Sequence, residues 1–204
     1  MYKIIDCEQR SEEWFQARLG KWTGSFFDKA ITSTGKRSTS SEDVNNRLVA
    51  ELVIGRPDET FQSEAMLRGA ELEDEALKFI NFTHGFNFQK IGFMDSGLGY
   101  GCSVDAFDFD RGISLEMKIP SLHTHLKYLS GGGVPREYKA QTQGAKLVIG
   151  SDESVFMSYS PEVKPFVVIS KRDDEFIKPM RDILLECCKE VREKYLSVTE
   201  YLKD

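Results

Sequence analysis

Apolar positions along this chain recur in two rhythms, one helical and one alternating, and the points where the rhythm changes predict most of its elements. Trp14, Phe15 and Leu19 fall at helical spacing behind Ser11, with Glu12 and Glu13 in the first turn and Gly20 at the close, so residues 11–20 read as a short helix capped by Ser11. Ser25 precedes Phe26, Phe27, Ala30 and Ile31 and reads as the cap of a second helix. Residues 32–41 are small, polar and rich in hydroxyls, the composition of a mobile loop. A helix over 42–55 would bury Val44, Leu48, Leu52 and Val53. The helix over 63–83 sets Leu72, Ala76, Leu77 and Ile80 on one arc and Glu71, Asp74, Glu75 and Lys78 on the other. Residues 86–93 alternate as a strand. Residues 136–149 read as a helix with Tyr138, Gln141, Ala145 and Val148 along one stripe. Strands over 155–159 and 166–170 follow, and a helix over 173–196 covers the sheet, with Pro179 kinking it or marking its start.

The most informative stretch is 101–120, which reads as a β-hairpin with its turn at Asp110-Arg111-Gly112. A tip at 110 and 111 sets Asp105 opposite Glu116, so both carboxylates point to one face, and Lys118, two residues on, shares it. Two acids and an amine converging on adjacent strands make a poor core. They suit a hard divalent cation beside a reacting phosphate: Asp105, Glu116 and the carbonyl of Met117 as oxygen ligands for Mg²⁺, with Mn²⁺ as a substitute, and Lys118 to position or deprotonate a water. Glu73 lies inside the apolar arc of its helix. A carboxylate there needs compensation, by a metal ion at the same centre or by a Lys or Arg of the core. Arg18 and Ser25 together suit a phosphate pocket, although the residues alone favour the plainer reading of a solvated helix end and a simple cap. Gln141 would orient a water or Lys118, or satisfy a backbone group. His123 and His125 read as surface or loop residues ahead of a flexible Gly131-Gly132-Gly133 segment.

Composition narrows the class. The chain has 204 residues, 40% hydrophobic and 29% charged, which fits a single soluble domain over 1–204 with a core that needs no staples. No apolar run is long enough to span a bilayer and no signal peptide is evident, so the cytoplasm is the expected compartment and no membrane partner is expected. Cys7, Cys102, Cys187 and Cys188 lack clip spacing and read as reduced thiols. The net charge of −6 argues against a protein that wraps DNA over its whole surface but leaves room for a local positive groove.

Two acids followed by Xaa-Lys match the PD-(D/E)xK nuclease pattern, which is short and degenerate. Further pieces extend it: Gln9-Arg10-Ser11 through Trp14 and Arg18-Leu19-Gly20, Thr23-Gly24-Ser25, Arg68-Gly69 with Glu73, Cys102-Ser103-Val104-Asp105, Leu115-Glu116-Met117-Lys118-Ile119-Pro120, and Tyr138-Lys139-Ala140-Gln141-Thr142-Gln143. With these the chain resembles the lambda-exonuclease-like (YqaJ-type) viral recombinase nucleases over about residues 9 to 170. It departs from them at Ser103-Val104-Asp105-Ala106, where the family commonly has Ser-Pro-Asp-Gly. The resemblance implies an α+β fold with a central mixed sheet flanked by helices. It also implies a Mg²⁺-dependent 5′-to-3′ exonuclease acting on double-stranded DNA with free ends, often a ring-shaped homotrimer working with a single-strand annealing protein. By the same resemblance Arg18 and Ser25 grip the 5′-phosphate, Glu73, Asp105 and Glu116 serve the metals, Gln141 lies in the site, Asp95 is an acid near it and Met66 is an apolar wedge between the strands. A restriction-type or repair endonuclease would share Asp105, Glu116 and Lys118. A catalytically silent DNA-binding module of the same fold would keep the frame without the chemistry.

Overall fold

In a computed structural model of the chain, residues 2–57 and 64–203 are described, with 64–71 described as backbone only. The elements run β1 (Lys3–Ile5), α1 (Glu12–Arg18), β2 (Trp22–Thr23), a 3-10 turn (Gly24–Phe26), α2 (Phe27–Ala30), α3 (Ser41–Ile54), α4 (Glu64–His84), β3 (Phe88–Gln89), β4 (Phe93–Asp95) and β5 (Tyr100–Cys102). They continue with β6 (Ala106–Asp108), β7 (Ile113–Lys118), α5 (Leu122–Gly131), a 3-10 turn (Arg136–Tyr138), α6 (Lys139–Ile149), β8 (Glu153–Ser158), β9 (Phe166–Lys171) and α7 (Asp174–Tyr201). The expected central sheet is divided in two, both mixed: a four-stranded sheet ordered β1-β4-β5-β2 and a five-stranded sheet ordered β3-β6-β7-β8-β9.

The hairpin forms in the expected register. Ala106 pairs with Leu115, Phe107 with Ser114 and Asp108 with Ile113, and the Asp105 N–H donates to the Leu115 carbonyl. Its tip is fixed by a residue the pattern did not single out. Asp108 is fully buried, and its carboxylate accepts from the N–H groups of Asn87, Asp110 and Arg111 and from the Arg111 guanidinium. Burial alone would raise that carboxyl, but these donors hold it below its usual range. On the odd-numbered face of β7, Leu115 and Met117 pack with Ala76 and Ile80 of α4 and with Val155 and Met157 of β8. Glu116 and Lys118 point the other way. A second core joins Trp22, Phe27, Leu48, Met94, Tyr100, Met180 and Leu184.

Several expectations give way to tertiary contacts. The strand predicted over 86–93 is broken, β3 joining one sheet and β4 the other. At Gly92 a Cβ would collide with the carbonyls of Ile5 and Cys7, so the chain squeezes past the first strand where only glycine fits. Ser25 caps no α-helix; it sits inside the 3-10 turn with its hydroxyl 3.2 Å from that of Thr23, and α2 begins at Phe27. Residues 32–40 form a hydrogen-bonded turn, and Arg37 is bound by both its Nη atoms to Glu190 of α7. Val53 is exposed, and Asn45 and Val49 take its place on the buried face of α3. His125 is not a surface residue: α5 buries it fully, with its ring nitrogens 2.8 Å from Ser158 Oγ and 3.1 Å from the Lys164 carbonyl. Helix α7 passes through Pro179, packs on α3, α6 and α2, and shares through Met180 and Leu184 a core with Met94 and Tyr100 of the four-stranded sheet. All four cysteines are free. Among the described residues no helix is long and apolar enough to cross a membrane.

Candidate active site

Strand alternation builds the centre of the site. Asp105 precedes β6, and its carboxylate turns across to accept the Met117 N–H. The Leu115 carbonyl faces β6 and the Lys118 carbonyl receives the Tyr159 N–H beyond β8, so the backbone groups of Met117 face the side of Asp105. Since β6 begins at Ala106, the Met117 carbonyl emerges there next to the acid. Glu116 is buried, and its Oε1 lies 2.5 Å from Lys118 Nζ with no well-formed hydrogen bond to any described residue. The Lys118 ammonium also sits 4.9 Å from the centre of the Tyr138 ring, a cation–π contact.

Burial pushes the Glu116 carboxyl up to about 7, with Lys118 opposing and Asp105 adding to the rise. Burial likewise raises Asp105 against the pull of Lys118 and the Met117 N–H. For Lys118, burial would lower the ammonium's pKa, but Glu116 and Asp105 outweigh it and hold it above its ordinary range. Glu73, on α4, is raised first by burial and then by Asp105, while Arg10 and Lys90 oppose. Its Oε1 lies 3.6 Å from the Arg10 guanidinium. Asp105 thus acts electrostatically on both other acids, Glu73 and Glu116. Among the described residues no three His, Cys, Asp or Glu side chains converge as a metal cluster. The donor set still fits a divalent cation that keeps several waters: the buried carboxylates of Asp105 and Glu116, and a carbonyl on the same side.

Two cavities open at this centre. One, of about 670 Å³, is lined by Glu73, Asp105, Lys90 and Arg10. The other, of about 620 Å³, brings together Arg18, Ser25, Gln141 and Ser103 with Arg10, Lys21 and Arg47. Arg18 donates to Ser103 Oγ at 3.2 Å and to Thr23 Oγ1 at 3.4 Å, and its guanidinium stacks 3.8 Å over the Trp14 ring. No carboxylate lies within ion-pair distance of it among the described residues, and burial pulls it down to about 10, so it stays cationic at neutral pH. A fixed, half-buried arginine braced by hydroxyls and an indole can receive an anion without rearranging. Ser103, two residues before Asp105, accepts from both Arg18 and Trp14 Nε1 and so joins this pocket to the acid strand.

The structure thus brings Asp105, Glu116, Met117 and Lys118 together, places Glu73 beside Asp105, and gathers Arg18, Ser25 and Gln141 in the adjoining cavity. Asp95 pairs at 2.7 Å with Lys21, which lines that second cavity, and its carboxylate also caps the turn at Gly97. Met66 and Arg68 lie outside the described side chains. Pattern reading missed Gln9, whose amide clamps the carbonyls of Ile91 and Val104 at 2.9 Å each, and it missed Arg10, Ser103 and Tyr138 as site residues. Only their places in the short motifs hinted at them.

An acid at the mouth of an antiparallel hairpin, a second acid and a lysine alternating on its partner strand, and a parallel strand beyond define a centre of the PD-(D/E)xK type. The chain belongs to the YqaJ-like viral recombinase domain family, whose model matches residues 13–152. Among solved structures it is similar to LHK-Exo in complex with dAMP, at 26% identity and a TM-score of 0.84, covering 95% of this chain and 98% of that one. It matches LHK-Exo, an alkaline exonuclease from Laribacter hongkongensis, at 25% identity over the same shares, again with a TM-score of 0.84. A phage-related exonuclease from Haemophilus somnus 129PT shares the fold, at 15% identity and a TM-score of 0.68, covering 88% of this chain and 96% of that one. No curated protein matches the chain significantly.

Proposed function

We propose that this chain is, as one nuclease domain, a Mg²⁺-dependent exonuclease that degrades one strand of linear double-stranded DNA from its 5′ end, for recombination by single-strand annealing. The observation that carries this reading is the junction, through Ser103, of a braced cationic pocket with a hairpin bearing Asp105, Glu116 and Lys118. The similarity to an alkaline exonuclease, one structure of which holds dAMP, supports a DNA substrate.

A divalent cation, held by Asp105, Glu116 and the Met117 carbonyl with Glu73 alongside, would polarise the scissile phosphodiester and acidify a water. The chain's own groups do the rest. Arg18 receives the terminal 5′-phosphate, with the Ser25 hydroxyl beside it, and so sets which phosphodiester reaches the hairpin. Lys118, cationic because two carboxylates face it, orients the attacking water by hydrogen bonding and offsets the negative charge that develops on the phosphoryl oxygens. Gln141 projects from α6 into the Arg18 cavity, where its amide can fix a phosphate oxygen or a water. Like many such nucleases, the protein would work as a homotrimer ring and hand its single-stranded product to an annealing protein.

Digestion of linear duplexes carrying 5′-phosphate or 5′-hydroxyl ends, with Mg²⁺ and with chelator, tests this. The expected result is rapid loss of one strand from the phosphorylated duplex alone, and none in chelator. Cutting of closed circular DNA would favour an endonuclease instead. Lys118→Ala is expected to abolish turnover while leaving DNA binding largely intact; retained cleavage would remove Lys118 from the mechanism.

A further inference from the structure

Arg10 is the sole non-glycine residue with positive φ among the described residues, at +75°. It stands at the third position of a turn closed by the Ser11 N–H on the Glu8 carbonyl, where a positive φ ordinarily selects glycine or asparagine. A long, β-carbon-bearing side chain is kept there against the local preference, and backbone strain of this kind concentrates at functional sites. The placement supplies the second observation. Arg10 lines the cavity that holds Glu73 and Asp105 and also the cavity that holds Arg18, Ser25 and Gln141; among the described residues only it and Gln9 do both, and the amide of Gln9 is already committed to two carbonyls. The guanidinium is half exposed and tethered only loosely, 3.6 Å from Glu73 Oε1. That separation is long for a charge-assisted hydrogen bond and leaves the donors free to turn toward a stronger acceptor.

The geometry points to Arg10 as a further substrate-contacting residue, one that grips the phosphodiester passing from the 5′-phosphate pocket to the cutting hairpin. The inference rests on the proposed exonuclease reading, because it needs a strand threaded from Arg18 toward Asp105. In the free protein Glu73 parks the guanidinium. When a DNA strand enters, a phosphate oxygen takes that place and the Glu73 carboxylate is released toward the neighbouring acid centre. Arg10 thereby couples occupancy of the end pocket to readiness of the metal-side carboxylates.

Arg10→Gly separates this role from a structural one, because glycine adopts the turn without strain. Binding of a fluorescent 5′-phosphorylated duplex end is measured in chelator over a range of salt for the wild type, Arg10→Gly and Arg10→Gln, alongside thermal unfolding. Both variants are expected to bind about tenfold more weakly, with a log K against log salt slope shallower by about 0.9, because one fewer phosphate is neutralised. Arg10→Gly is also expected to unfold no lower than the wild type. Unchanged affinity and slope in both variants would overturn the assignment. So would a loss confined to Arg10→Gln, which marks the turn conformation rather than the charge as what mattered. If the wild type itself shows no preference for the phosphorylated end, the exonuclease reading fails and this inference with it; a wild type that prefers that end beside unaffected variants removes Arg10 alone.

Discussion

Lys146 shows how far a single side chain can be read from its surroundings. It lies on α6, away from the centre, fully buried, its ammonium donating to Ser170 Oγ at 3.0 Å and to the Thr142 carbonyl at 3.3 Å. No carboxylate pairs with it among the described residues. Burial pulls its pKa down to about 8, and the nearby Arg172 adds to the drop. The sign follows from linkage: a lysine titrating near 10.4 in the unfolded chain and near 8 in the native one binds its proton less tightly when folded. The folded state carries that cost in full below pH 8. Stability rises as pH climbs from about 8 to about 10.4 and levels off above. Lys146→Met removes the cost and leaves Ser170 without a donor, so the variant is expected to be more stable at pH 7 by about 1–2 kcal/mol, and to lack the rise between pH 8 and 10. Urea denaturation at pH 7 and pH 10 checks both parts; a Met variant weaker at pH 7 would show that the two hydrogen bonds outweigh desolvation.

At the scale of elements, the contact between α6 and α2 turns on Gly144. A Cβ there would overlap the Phe27 ring and fall 2.9 Å from Met180 Cε, and both of those side chains are fully buried. Helix propensity favours alanine over glycine by about 1 kcal/mol, but overpacking a core that cannot retreat costs about 1–3 kcal/mol. Packing wins, so Gly144→Ala is expected to lower the unfolding temperature by a few degrees, as read by calorimetry. The same contest between local preference and tertiary contact decides what the sequence could tell. The register of β6 on β7, and hence the shared face of Asp105, Glu116 and Lys118, was legible because alternation and a turn fix it within a dozen residues. Helices α3, α6 and α7 were legible from their stripes. The division of the sheet was not, because it depends on Gly92 passing the carbonyls of Ile5 and Cys7, far away in sequence. Nor was the burial of His125, whose partners Ser158 and Lys164 arrive from β8 and the loop after it. Glu73 was legible as a carboxylate on an apolar face, but its partner Arg10 was not, since nothing in a side chain announces a positive φ.

The whole molecule poses a charge problem that its site geometry answers only in part. With 27 basic and 33 acidic residues the surface as a whole repels DNA, yet Arg10, Arg18, Lys21 and Arg47 gather at one cavity, with Glu73, Asp95 and Glu51 pairing Arg10, Lys21 and Arg47 in turn. Such a cluster can hold a strand end, but one chain of 23.2 kDa does not surround a duplex. A closed ring of copies would pool the cationic pockets around a common channel while the acidic surface faces outward, and cyclic symmetry is the ordinary way for identical chains to close. Sedimentation or light scattering at micromolar concentration is therefore expected to give three times the chain mass. Because the channel would contact several phosphates at once, DNA binding by that species should fall steeply with salt. A monomer mass under these conditions would count heavily against the ring and leave the end pocket of a single chain as the whole of the DNA-binding surface.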